Sequence, residues 1–234
     1  MTKIKTVSFK HARFLFVFAV LVGGVLFLGL ASPRTSFAAA CQSAAPGGAN
    51  WSNAGAWTNC GGTTPGAADT VQILNGDVVA LDTNATTTSI TIDNGGLLYE
   101  DGARVLVVSG GWTNNGTFTS GTGLVKFTGT QTITGTTTFN GLEFAPTSAA
   151  TFTIASGTFA TTTGTLTISG SNNVTLNTGN LNAQGNIMVT NSGTGGGGTA
   201  TITINGTGSQ TLTGPSTLGQ GILPNLTYNK TSGS

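Results

Sequence analysis

Histidine is almost missing from this chain: the only one is His11. Beyond residue 40 there is no imidazole, which excludes Ser-His-Asp and Cys-His nucleophile sets and His-ligated metals from that part. Charge is scarce too, at 6% of residues against the usual quarter. No charged side chain occurs between Glu143 and Lys230. Acid–base chemistry beyond residue 40 is restricted to Asp69, Asp77, Asp82, Asp93, Glu100, Asp101 and Glu143, with Arg104, Lys126 or Tyr99 beside them. Glu100-Asp101 with Arg104 is the one dense cluster, and around Gly102 it reads as a solvated turn. From Cys41 onward three cations face seven acids, a net charge of −4. That balance gives no basic footprint for nucleic acid or anionic lipid. No cofactor or metal motif is complete. Gly195 to Gly198 lacks the Lys-Thr of a phosphate loop, and Asp93-Asn94-Gly95 matches only a fragment of a calcium loop.

What is present is β-forming. Gly numbers 37, Thr is more frequent still, 38% of residues are hydrophobic and the mean hydropathy is +0.18. Apolar residues alternate with Thr, as half-buried strands require. Thr suits this role because its branched Cβ fits the pleat and its hydroxyl meets water without adding charge. In Thr151-Phe152-Thr153-Ile154 and Thr165-Leu166-Thr167-Ile168 the alternation predicts Phe, Leu and Ile inward and Thr outward. A folded, uncharged β protein fits this composition better than a disordered tail.

The first forty residues carry an address. Lys3, Lys5, Lys10 and Arg13 precede the apolar run Phe14 to Leu30; Pro33 breaks it, and Ala38-Ala39-Ala40 offers small residues for cleavage before Cys41. This order is that of a secretory signal over residues 1–40. Two other readings stay open: an uncleaved anchor, since the apolar run is of nearly spanning length, and a lipid on Cys41. All three place residues 41–234 outside the cytosol. In that compartment the only two cysteines, Cys41 and Cys60, are expected to form a disulfide.

Residues 41–68 read as a linker and N-terminal cap. From Asp69 short strands begin: Val71 to Ile73, Val78 to Leu81, Ser89 to Ile92, Leu97-Leu98, Val105 to Val108 and Leu124 to Phe127, separated by Asn/Gly corners. The segment Gly129 to Gly135 (GTQTITG) returns 79 residues later as Gly208 to Gly214 (GSQTLTG). Leu124 to Phe127 before the first copy answers Thr201 to Ile204, and Phe139 to Phe144 after it answers Leu223 to Tyr228. Stacked repeats of this kind predict an all-β, right-handed parallel β-helix (β-solenoid) over residues 69–234. A β-sandwich is the alternative. No closing element follows Tyr228, so the last rung is expected to be uncovered, as in a fragment or a subunit that self-associates.

A family resemblance supports the solenoid. Trp51-Ser52, Trp57, Pro65, Asp69 to Ile73, Gly76 to Asp82, Ser89 to Ile92 and Gly95 to Leu98 follow the order seen at the opening of the glycine-rich extracellular β-helix domains called eight-glycine domains. The stretch also resembles bacterial surface β-helix proteins of the autotransporter-adhesin type. The resemblance covers residues 51 to about 108, is specific for architecture, and carries no catalytic residue to any position here. It implies an exported surface structure, non-enzymatic and adhesive, with extracellular glycans or other surface proteins as partners. A carbohydrate-binding module or a carbohydrate-active β-helix enzyme is the alternative. Trp51, Trp57 and Trp112 are the aromatic candidates for glycan contact, against a reading in which they cap the core. The Thr-x-Thr pairs at 132/134, 151/153, 165/167 and 201/203 suggest hydroxyl arrays for a crystalline surface, against a plain polar exterior.

Overall fold

The computed structural model describes residues 38–232. Residues 1–37, which carry most of the export reading, lie outside that range. The described chain is a β-solenoid of about 8 turns, built almost wholly of parallel strands. Each turn visits three faces. The first face stacks Ala40–Ser43, Thr70–Ile73, the second half of Ala85–Ile92, the second half of Val105–Asn114, Gln131–Thr134, Ala150–Ile154, Val174–Asn177 and Gly196–Gly197. The second face stacks Ala49–Asn50, Val78–Leu81, Leu97–Glu100 and Thr117–Thr119. It resumes with Thr137–Phe139, Phe159–Thr162, Asn180–Ala183, Thr201–Ile204 and Asn225–Tyr228. The third face holds the first halves of the two long strands, then Leu124–Phe127, Gly141–Phe144, Leu166–Ile168, Ile187–Val189 and Leu212–Thr213.

The period is irregular. Successive partners on the third face are as close in sequence as Val125 and Leu142 and as far apart as Ile187 and Leu212. The variation sits in the corners, so the strands still meet in register. The expected alternation follows. On the first face Val71, Ile90, Trp112, Ile133 and Ile154 form one inward ladder, and all are buried. Full burial of each such side chain contributes roughly 1.5–3 kcal/mol. An aromatic cluster fills the middle turns: Trp112 lies 5.1 Å from Phe118 and 5.3 Å from Phe139, and Phe144 lies 4.8 Å from Phe152.

Corners need glycine where one turn passes close under the next. A Cβ on Gly135, whose φ is +82°, would lie 1.9 Å from the Asn114 carbonyl oxygen, and one on Gly185 would lie 1.9 Å from that of Gly164. Asn191 fastens another corner. Its buried amide donates to the carbonyls of Ser169, Gly170 and Asn172 and accepts from the Gly193 N–H.

The N-terminal region is more regular than a linker. Ala40–Ser43 is already a rung, paired with Thr70–Ile73, and Ala49–Asn50 pairs with Val78–Leu81. The cap is the excursion that follows. A single 3₁₀ turn at Ala54–Ala56 leads into Trp57–Thr58, which runs antiparallel to the first rung along its free edge. The Cys41–Cys60 disulfide ties cap to rung, with the Cα atoms 4.7 Å apart. At the other end, Leu212, Leu226 and Tyr228 continue the inward ladders of Ile187, Ile202 and Ile204 but stay exposed.

The sequence repeat proves to be displaced in space. The first copy runs from the third face (Leu124–Phe127) to the first (Gln131–Thr134) and back to the third (Gly141–Phe144). The second runs from the second face (Thr201–Ile204) to the third (Leu212–Thr213) and back to the second (Asn225–Tyr228). The repeated unit is about one turn of strand and corner, and its copies are rotated by one face.

Candidate functional site

The described residues include seven carboxylates that could serve an acid–base site, and the fold uses six of them to hold turns together. Asp69 accepts from the Ala39 and Gly66 N–H groups, both at 2.7 Å. Asp77 accepts from the Ser43 hydroxyl, which in turn accepts from the Leu74 N–H at 2.8 Å. Asp82 accepts from the Ser52 N–H and hydroxyl. These three tie the first turn to the second. Burial raises the Asp82 pKa, but the Ser52 hydrogen bonds and nearby Arg104 outweigh it and leave a net lowering. Asp93 accepts from the Gln72 amide at 2.8 Å. Glu143 accepts from Ser169 and pairs with Lys126 at 3.4 Å.

The Glu100-Asp101-Arg104 cluster comes apart in space. Glu100 turns inward and accepts from the N–H groups of Gly121 (3.0 Å) and Gly123 (3.2 Å). Burial raises its pKa, against the lowering effect of those two bonds. Arg104 donates to the Asp101 backbone carbonyl. Only the Asp101 carboxylate has no hydrogen bond or ion pair among the described residues. Asp69 also lies beside Cys41 and Cys60, but the two sulfurs bond each other and so are not metal ligands.

The three tryptophans follow the core-packing reading and not the glycan-contact one. Trp51, Trp57 and Trp112 are 1%, 5% and 0% exposed, so none presents a ring face to a sugar. Trp51 and Trp57 pack edge to face at 4.9 Å, and the Trp57 indole N–H donates to the Trp51 carbonyl. Trp112 donates to the Thr137 hydroxyl at 3.1 Å. For Trp57 and Trp112 the one donor of the ring is satisfied internally, which favours burial in the solenoid.

The outer surfaces of the faces remain. The third face exposes part of Val105, Val107 and Leu124 and the Lys126–Glu143 pair. The second exposes Leu97, Tyr99 and Phe159. The first face differs, because its outward strand positions carry no charge and no large apolar side chain. One outward row is Gln42, Gln72, Thr91, Thr113 and Thr134. Beside it, Thr70 pairs with Ser89, Ser89 with Gly111, and Thr132 with Thr153. The rows step by the inter-strand spacing of about 4.8 Å, giving a regular array of hydroxyls and amides. Of the four Thr-x-Thr pairs, those at 132/134 and 151/153 lie here, while Thr167 is on the third face and Thr201/Thr203 are on the second. They do not form a single array. Gln42 and Gln72 escape a motif search, although each sits between two buried residues in a matching strand (Cys41-Gln42-Ser43 and Val71-Gln72-Ile73).

The fold therefore defines the class as a three-faced parallel β-solenoid with one uncharged polar face. No protein-family model matches the chain, and no curated protein or solved structure matches it.

Proposed function

We propose that this protein is an exported, non-catalytic β-solenoid that works as a structural and adhesive module at the cell surface. The observation that carries the reading is the occupation of its carboxylates: six of seven accept structural hydrogen bonds. A glycosidase or lyase needs paired acidic or basic groups free to face substrate. The uncharged first face supports adhesion, since a wide, stiff lattice of neutral donors and acceptors suits repeated weak contacts. The N-terminal signal pattern and the resemblance to surface β-helix proteins support export.

The test immobilises the exported protein on beads and measures their retention on polysaccharide-coated and cell-coated surfaces, with release of reducing ends assayed in parallel. Retention without product release is expected. Turnover of any polysaccharide that falls when Asp101 is changed to Asn would overturn the reading.

A further inference from the structure

The first three rungs of the uncharged face border an open trough of about 360 Å³, lined by Gln42, Thr70, Gln72, Ser89 and Thr91 together with Ala40, Cys41 and Val71. Its size falls within the usual range of small-molecule sites, and none of its lining side chains is ionised. Two amides lie along it in a directed chain. The Asn59 amide donates to Gln42 Oε1 at 2.9 Å, Gln42 Nε2 donates to Gln72 Oε1 at 3.0 Å, and Gln72 Nε2 donates to Asp93 Oδ2 at 2.8 Å. Asn59 is held at φ +59°, a region that Asn tolerates better than most residues.

This chain fixes both glutamine side chains without exhausting them. Each amide keeps one N–H and one carbonyl lone pair beyond those used. A surface glutamine normally loses side-chain entropy when it binds; these two are ordered beforehand. Hydroxyls of Thr70, Ser89 and Thr91 stand on adjacent rungs. The trough thus offers a preorganised, neutral set of donors and acceptors, repeated along the solenoid axis.

We infer that the trough formed by Gln42, Thr70, Gln72, Ser89 and Thr91 binds a neutral polysaccharide segment, its hydroxyls paired with the two fixed amides. The inference rests on the adhesive reading and names the ligand class of that surface. Among the lining side chains there is no cation to hold an acidic polysaccharide, and Asp93 stands at the end of the amide chain; in a chain that begins at Cys41 the α-ammonium group is the one positive charge beside the trough, and the acidic probe tests its effect. Recognition without ion pairs also predicts little dependence on salt.

The experiment uses the exported protein labelled with ¹⁵N. Cellohexaose and maltohexaose are the neutral probes and oligogalacturonate is the acidic one. The side-chain amide signals of Gln42 and Gln72 are expected to shift with at least one neutral probe, equally at 0.1 and 1 M salt (roughly 10 Å and 3 Å screening lengths). Gln72→Met should weaken that binding about tenfold or more. Thr91→Val, which keeps the branched strand residue and removes only the hydroxyl, should weaken it several-fold. Thr203→Val on the second face should leave it unchanged, and thermal midpoints of all three variants confirm folding. Shifts with oligogalacturonate alone, no shift with either neutral probe at millimolar concentration, or equal loss in Thr203→Val would overturn the inference. Protease accessibility of the chain on intact cells separately tests export, so failure of the trough and failure of the surface reading give different results.

Discussion

Replacing Gly135 with Ala tests the stacking of turns at one atom. The new Cβ would lie 1.9 Å from the Asn114 carbonyl oxygen, more than about 1 Å inside any tolerable contact. Asn114 ends a strand paired with Ile92, so the neighbouring backbone is held in place. Overpacking of this kind costs about 1–3 kcal/mol, and a side chain at φ +82° adds about 1–2 kcal/mol. The expected loss is therefore about 2–5 kcal/mol, a large part of a typical domain's 5–15 kcal/mol. Two other glycines separate the contributions. Gly157 has φ +78° but nothing near its Cβ position, so Ala there should cost only the conformational share. Gly214 has neither constraint, and Ala there should be neutral or stabilise by up to about 1 kcal/mol. Urea denaturation followed by circular dichroism, with the disulfide intact, gives the ranking. If Gly135→Ala lies within about 0.5 kcal/mol of Gly157→Ala, the close passage of these turns is wrong.

Three other perturbations follow from particular groups. Gln131 is 5% exposed with both side-chain amide atoms unpartnered, so Gln131→Met should raise stability by about 1–3 kcal/mol, seen as a higher thermal midpoint; a lower one would contradict this. Glu100 has a raised pKa, so the folded state holds its proton more tightly than the unfolded state, and stability falls as pH rises from the ordinary carboxyl range through the raised value. Glu100→Gln, whose carbonyl still accepts from Gly121 and Gly123, should abolish that fall; denaturation midpoints followed upward from the ordinary carboxyl range show whether it does. Opening the Cys41–Cys60 bond, which closes a separation of 19 residues, should cost about 3 kcal/mol, and an unchanged midpoint in Cys60→Ser would argue that the cap is not fastened by it.

Local signals read well in the sequence because they are properties of single strands. Val71 to Ile73, Ser89 to Ile92 and Leu124 to Phe127 all form strands, with Val71, Ile73, Ile90, Ile92, Val125 and Phe127 inward. The disulfide was legible from cysteine count and expected compartment. Tertiary addresses were harder to read. GTQTITG and GSQTLTG look like equivalent copies, yet corners of unequal length rotate one by a face relative to the other. Trp51 and Trp57 admitted two readings in the sequence, a sugar platform and a cap on the core, and the structure buries both. Their burial depends on a cap that folds back antiparallel along the first rung. The trough was invisible for a related reason. Gln42 and Gln72 are 30 residues apart in sequence, and only parallel stacking makes them neighbours.

Export is tested most directly by protease shaving of intact cells that express the full chain, with mass spectrometry of the released peptides and N-terminal sequencing of the exported form. Peptides from residues beyond Cys41 are expected in the shaved fraction, with a mature N-terminus at or near Cys41. Cleavage there would remove Ala39 and Ala40, whose contacts with Asp69 and Thr70 are then absent from the mature protein. A chain that starts at Met1 and is protected from protease until the cells are lysed would contradict the account.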